Sequence, residues 1–193
     1  MCLKGWIFIM IDIHDNILDE VDAANLHSAV QEISWKYFAG SSGPLSGNAE
    51  EAEPVEPIWH ISPGHEWMNF WKKLYLKLGH KYGDLELYRL YLNAHTRGMF
   101  PHYHTDDGDL TLLYYPNMSW KSSFEGGTII YKEATKIPDQ LVEYKGNRLV
   151  IFDSYLPHQA QHVTEKCLDL RTVIVVKCYI EGSNRERLDF YNV

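Results

Sequence analysis

A chain of 193 residues with 45% apolar content can bury one sizeable core, and nothing in its length calls for more than a single domain over 1–193. Eighteen Lys and Arg against twenty-six Asp and Glu leave a net charge of −8 without a basic run, which excludes a cationic face for nucleic acid or anionic membrane and favours a protein or small cationic substrate. Cys2, Cys167 and Cys178 form no C-x-x-C, which argues against a disulfide framework and a cysteine-built zinc site and points to a reducing, cytoplasmic compartment.

In chain order, the apolar stretch Gly5 to Ile11 is too short to span a membrane and lacks a small-residue cleavage site, so it reads as a strand. Asp15-Asn16 can cap a helix with Ile17, Val21, Ala24, Leu26, Val30 and Ile33 at helical spacing, ending near Phe38-Ala39-Gly40. Residues 41–57 are Gly, Ser, Pro and Glu, the composition of an irregular loop that is either a solvated connector or a lid over a site. Ser62 and Pro63 open a second helix whose Trp67, Phe70, Trp71, Leu74, Tyr75 and Leu78 form an apolar stripe, closed by Gly79 and Gly83. From residue 84 the pattern turns to strands over 85–92, 110–115, 128–131, 141–144, 148–152 and 172–179. Two helices followed by this many strands predict an α+β fold. A helical support over 1–83 packs on one sheet of a jelly-roll, or double-stranded β-helix, core over 84–180, and a tail covers 181–193. The tail can dock back or pack on a second copy, so the oligomeric state stays open.

The chemistry concentrates in Pro101-His102-Tyr103-His104-Thr105-Asp106 and in Phe152-Asp153-Ser154-Tyr155-Leu156-Pro157-His158. On a strand His104 and Asp106 share a face, and His158, at the end of the strand 148–152, can return beside them. Two imidazoles and a carboxylate on one side of a metal, with other positions open, suit non-haem Fe(II) and oxygen chemistry.

These motifs resemble the 2-oxoglutarate and Fe(II)-dependent oxygenases of the prolyl-hydroxylase type, in one order from Tyr91 to Lys177. His104-Thr105-Asp106 stands at the His-x-Asp. Tyr114 to Trp120 and Gly126-Gly127-Thr128 resemble the tyrosine-bearing strand, the Asn and Trp turn and the Gly-Gly-x strand, and Asn147 to Phe152 leads to the distal Pro157-His158. Ser34-Trp35-Lys36 and Pro57-Ile58-Trp59-His60 resemble the small bacterial and viral branch. The resemblance implies Fe(II), 2-oxoglutarate and O2, with ascorbate as a reductant. It also implies Arg171 for the far carboxylate of 2-oxoglutarate, although Arg171 follows His158 by thirteen residues, a longer gap than many prolyl hydroxylases show, to be absorbed by a turn through Thr164 to Cys167. Arg171 offers the planar fork a carboxylate needs, and Tyr115 can add a hydroxyl donor. Asn93 either bonds the keto acid or supports the turn at Arg97-Gly98, and Tyr115 can equally be an ordinary strand aromatic. Because Asp106 keeps the carboxylate that halogenating relatives lack, the implied reaction is hydroxylation of proline or another amino acid, free or in a peptide or protein.

Alternatives stay open at the metal. His102-Tyr103-His104 reads as a cupin-type pair, though no Glu follows at the cupin distance, and His162 competes with His158, which is better placed directly after the strand. A cupin-like enzyme of another reaction class would depend on His102 as strongly as on Asp106. A non-catalytic binding module would keep its partner with all three ligands replaced.

Overall fold

The period-two apolar alternation that begins at Leu85 is realised as a two-sheet antiparallel sandwich, in a computed structural model that describes residues 11–39, 57–62, 64–132 and 136–183. The strands are β1 (Asp12–Asp15), β2 (Lys36–Ala39), β3 (Pro57–Ile61), β4 (Leu85–His95), β5 (Leu110–Tyr115), β6 (Thr128–Tyr131), β7 (Pro138–Val142), β8 (Arg148–Asp153), β9 (His158–Ala160) and β10 (Arg171–Ile180); the helices are α1 (Glu20–Gln31) and α2 (Met68–Leu78). Seven strands form one sheet in the order β1-β8-β5-β10-β4-β3-β2, and three form the other in the order β7-β6-β9. This is the α+β, double-stranded β-helix layout expected from the pattern of elements.

Alternate side chains of the large sheet serve two cores. Leu112 and Tyr114 of β5, Leu149 and Ile151 of β8, and Ile174, Val176 and Cys178 of β10 meet Ala23 and Val30 of α1 and Phe70, Trp71, Leu74 and Leu78 of α2. The opposite face, with Leu113, Tyr115, Val150, Phe152, Val173 and Val175, packs on Ile130, Val142 and Tyr144 of the small-sheet layer. Both faces of the central strands are thus covered, which is why β5 is buried at every position. Each fully buried aliphatic side chain in these layers contributes about 1.5–3 kcal/mol.

The amino-terminal expectations need correction. Asn16 adopts a left-handed φ of 54° and Asp15 ends β1 with its carboxylate bonded to Arg148 and Lys145, so neither caps a helix. The cap is Asp19, whose carboxylate accepts from the Asp22 N–H at 2.9 Å, and this shift leaves Val21 69% exposed. α1 ends at Gln31 because Lys36 to Ala39 pairs with β3 as an edge strand, tertiary pairing overriding the helical reading. Ser62 does not cap α2. Its hydroxyl faces His60 Nε2 at 3.2 Å, and a 3-10 turn over His65–Trp67 leads into a helix that begins at Met68. The strand expected over 141–144 is displaced to Pro138–Val142, because the Tyr144 ring turns inward to stack on Tyr115. β4 runs on to His95, and the short strands β3 and β9 were not anticipated. The strand expected over 5–11 lies outside the described residues except for Ile11, which is in no strand, as do the loop 41–57 except for Pro57 and most of the tail. None of the described helices is long and apolar enough to cross a membrane.

Candidate functional site

His104 and Asp106 do not share a continuous strand, contrary to expectation. His104 forms a single bridge with His158, in which each backbone N–H donates to the other's carbonyl, at 3.0 and 2.8 Å, while the Asp106 N–H donates to the Ser154 carbonyl at 2.8 Å. Backbone pairing therefore brings the three residues together across the gap between the two sheets. His104 Nε2 lies 3.8 Å from Asp106 Oδ1, His158 Nε2 lies 3.5 Å from Oδ2, and one ligand atom from each residue falls within 4.8 Å of the others. Among the described residues this is the one such His, Cys, Asp and Glu group.

The tautomers suit a metal. Nδ1 of His104 donates to the His102 carbonyl and Nδ1 of His158 to the Leu156 carbonyl, both at 2.9 Å, and a carbonyl can only accept. In its neutral form each ring therefore turns its Nε2 lone pair toward Asp106. Desolvation by the cavity wall, then the charge of His158, press the His104 imidazole below its ordinary value, which keeps it neutral near pH 7. Burial alone would raise the Asp106 carboxyl, but its neighbours His158, Lys177 and His104 outweigh it and hold the group ionised. Asp106 Oδ2 also accepts from the Thr111 hydroxyl at 2.8 Å, and Oδ1 lies 2.8 Å from Lys177 Nζ. A buried carboxylate kept anionic beside two imidazoles whose Nε2 atoms converge on it fits a divalent ion of the Fe(II) kind.

The triad opens into a cavity of about 370 Å³, whose wall includes Tyr91, Asn93, His95, Thr128, Arg171 and Lys177. A second hollow of about 460 Å³ lies between α1 and α2, where Leu26, Ala29, Ile33 and Phe70 alternate with Asp22, Glu32, Asn69 and Lys73, and it holds no such triad. Arg171 is 1% exposed, and among the described residues no carboxylate lies within ion-pair range of it. Its Nε donates to the Gly126 carbonyl, an η nitrogen to the Gly127 carbonyl at 3.2 Å, and the other to His95 Nδ1 at 3.4 Å. Three of five N–H groups are thus engaged and two stay available for an anion. The glycines permit this cradle: a Cβ at Gly126 would stand 3.2 Å from the Arg171 side chain, and one at Gly127 only 2.3 Å from the Val142 carbonyl. Desolvation first, then the Arg171 charge, push His95 down to about 3, so its neutral ring accepts from the guanidinium.

Tyr115 is fully buried and stands behind this wall. Its hydroxyl meets Thr128 Oγ1 at 2.7 Å, and the Arg171 guanidinium lies 5.9 Å from its ring centre, so Thr128 carries the hydroxyl that lines the cavity. The Asn93 amide does line the cavity, and its Oδ1 pairs with His60 Nδ1 at 2.8 Å. His102 lines the cavity and buttresses His104 through its carbonyl. His162 is exposed and packs its ring edge against Phe100, 4.9 Å between centres, outside the triad. Sequence reasoning gave no role to Lys177 and His95, and singled out His60 only within the family-like stretch Pro57-Ile58-Trp59-His60. The signals were present: Lys177 is the one charge inside an apolar run, and His95 follows Asn93 at period two.

A double-stranded β-helix with two imidazoles and a carboxylate at its mouth, and a buried cation deeper in the same cavity, is the scaffold of a mononuclear non-haem metal oxygenase. The 2OG-Fe(II) oxygenase superfamily model matches residues 85–180, from the first residue of β4 to the last of β10, and through this barrel the chain belongs to that superfamily, whose members use Fe(II), 2-oxoglutarate and O2. Among solved structures it resembles a prolyl hydroxylase from Trichoplax adhaerens in complex with a hypoxia inducible factor oxygen degradation domain peptide fragment, at 14% identity over 89% of this chain and 84% of that one, TM-score 0.61. A Pseudomonas putida prolyl-4-hydroxylase matches at 17% identity over 88% and 92% of the two chains, TM-score 0.58. The α-ketoglutarate-dependent epimerase SnoN from nogalamycin biosynthesis matches at 10% identity over 88% and 78%, TM-score 0.60. At these identities the likeness is one of fold. No curated protein matches the chain.

Proposed function

We propose that this oxygenase hydroxylates an unactivated C–H bond, of proline or of another amino acid, free or within a peptide or protein, and that residues 1–193 act as one domain. The observation that carries this reading is a single cavity with the His104, Asp106 and His158 donors at its mouth and the Arg171 guanidinium, unmatched by any carboxylate among the described residues, in its wall. In this reading His104, Asp106 and His158 hold Fe(II). The two available N–H groups of Arg171 receive the far carboxylate of 2-oxoglutarate, Asn93 donates its amide to the keto acid, and Tyr115 steadies Thr128 beside them. Bound iron would supply oxygen activation coupled to decarboxylation of the keto acid, one oxygen atom passing to the substrate and the other to succinate. The chain's own part is to orient the reactants and exclude water.

Purified protein supplied with Fe(II) and 2-oxoglutarate is expected to form succinate, and mass spectrometry across amino acids, peptides and host proteins to find a product heavier by one oxygen. No succinate after anaerobic reconstitution with iron overturns the reading. Arg171→Ala is expected to raise the 2-oxoglutarate requirement about 100-fold, the loss of charged hydrogen bonds worth roughly 2–3 kcal/mol, while metal affinity holds. Equal losses of both would contradict the placement of the co-substrate.

A further inference from the structure

β10 turns Arg171, Val173, Val175 and Lys177 to the same face, and all four line the cavity. The strand therefore carries two cations, and only the first has a place in the function proposed above. Lys177 is 5% exposed, its ammonium 2.8 Å from Asp106 Oδ1, 3.6 Å from Asp107 Oδ2 and 5.7 Å from the centre of the Tyr91 ring. A buried ammonium costs several kcal/mol unless paired, and here Asp106 and Asp107 supply the pairing. Its cross-strand partner in β5 is Thr111, whose hydroxyl binds the other oxygen of the same carboxylate. Two neighbouring strands thus grip Asp106, with a neutral donor on Oδ2 and a cationic donor on Oδ1.

We infer that Lys177 is a positioning residue that occupies one oxygen of Asp106 and so restricts that carboxylate to a single bond with the metal. The inference rests on the reading that His104, Asp106 and His158 hold the ion. Two imidazoles and a one-oxygen carboxylate would leave room on a six-coordinate ion for a chelating keto acid and for oxygen. A carboxylate bound through both oxygens would take one more position. The charge-assisted N–H···O bond of Lys177 is the stronger of the two grips on the carboxylate, and replacing it leaves Thr111 to hold Oδ2 alone.

The test uses Mn(II) in the full chain, with bound waters counted from the EPR broadening produced by ¹⁷O-water and 2-oxoglutarate affinity measured by titration. The wild-type protein is expected to hold three waters. Lys177→Met is expected to hold two and to bind 2-oxoglutarate about 10- to 100-fold more weakly, the range usual for partners that orient a metal ligand. Lys177→Arg is expected to restore both. Three waters with unchanged 2-oxoglutarate affinity in Lys177→Met overturn the inference, since a merely structural lysine would alter only thermal stability. Two waters in the wild type overturn it without any variant, which keeps the test decisive if Lys177→Met does not fold. Failure of the wild type to take Mn(II), or uptake unaffected by His104→Ala, overturns the metal-site reading itself and the inference with it.

Discussion

Asn117 shows how one side chain can fix the backbone on both sides of a buried residue, here Arg171. Its Oδ1 accepts from the Thr172 N–H at 3.1 Å, from the Thr172 hydroxyl and from the Tyr144 hydroxyl at 2.5 Å, while Nδ2 donates to the Leu170 carbonyl at 3.3 Å. Residues 170 and 172 flank Arg171, so this amide fixes the backbone from which the guanidinium departs. Its neighbour Trp120 donates to the Glu125 carbonyl at 2.7 Å and packs on Tyr144, 4.6 Å between ring centres. The Asn and Trp turn noted in the sequence is therefore the foundation under Arg171. Asn117→Ala is expected to cost about 3 kcal/mol in denaturant unfolding, because it strands several buried donors, and to weaken 2-oxoglutarate binding more than metal binding. A variant with full stability and normal co-substrate affinity would remove Asn117 from this role.

At the scale of elements, the first strand is held to the barrel as much by charge as by pairing. Asp15 accepts from Arg148 Nε at 2.6 Å and an η nitrogen at 3.1 Å, and from Lys145 at 2.8 Å, across the edge where β1 pairs with β8. The Arg148 hydrogen bonds outweigh partial burial and hold the Asp15 carboxyl down at about 2. A folded-state value below the unfolded one stabilises the fold above the unfolded value and loses that contribution as pH falls through the folded one. The site is partly solvated, so Asp15→Asn is expected to cost only about 1 kcal/mol near neutral pH, a gap that narrows below about pH 4 and closes near pH 2. Urea unfolding across that range checks it, and a gap that persists at pH 2 would mean that the charge is not its source. The same residues show why this end of the chain was misread. Asp15 looks like a helix cap in sequence, and only the return of Arg148 on a distant strand claims its carboxylate. β5, β6 and β8 were legible because their pattern is set by burial on both faces, which the local sequence already records.

For the molecule as a whole, the triad joins two segments distant in sequence, His104 and His158 meeting at an isolated bridge. An ion bound there should stabilise the native state by mass action, about 2.7 kcal/mol at a hundredfold excess over its dissociation constant, or roughly 5–10 °C in Tm for a chain of this size. Calorimetry with and without Mn(II) measures this, and His158→Ala should abolish the shift while apo-protein unfolding stays within a few degrees of wild type. The His-x-Asp spacing and the histidine after β8 were readable from sequence, although the geometry that unites them is a bridge and not the strand face expected. Lys177 stands out in the sequence as a charge inside an apolar run, but its meaning needs the opposing carboxylate, which only the fold supplies. The loop 41–57, read as connector or lid, lies outside the described residues apart from Pro57.

The parity of β10 has a consequence for how such a gene can vary in length. Arg171 and Lys177 stand about 20 Å apart along the strand backbone, both turned to one cavity, with Val173 and Val175 between them. Gaining or losing one codon within that interval would turn one of the two cations onto the helix-covered face, so insertions and deletions there should be purged. The connection between β9 and β10 carries no such constraint. It doubles back through a turn in which the Cys167 N–H donates to the Thr164 carbonyl at 3.0 Å, with Cys167 tucked against Phe124 and Val163. The long interval between His158 and Arg171 is accommodated there, a stretch where lineages can drift in length while the cavity keeps its ruler.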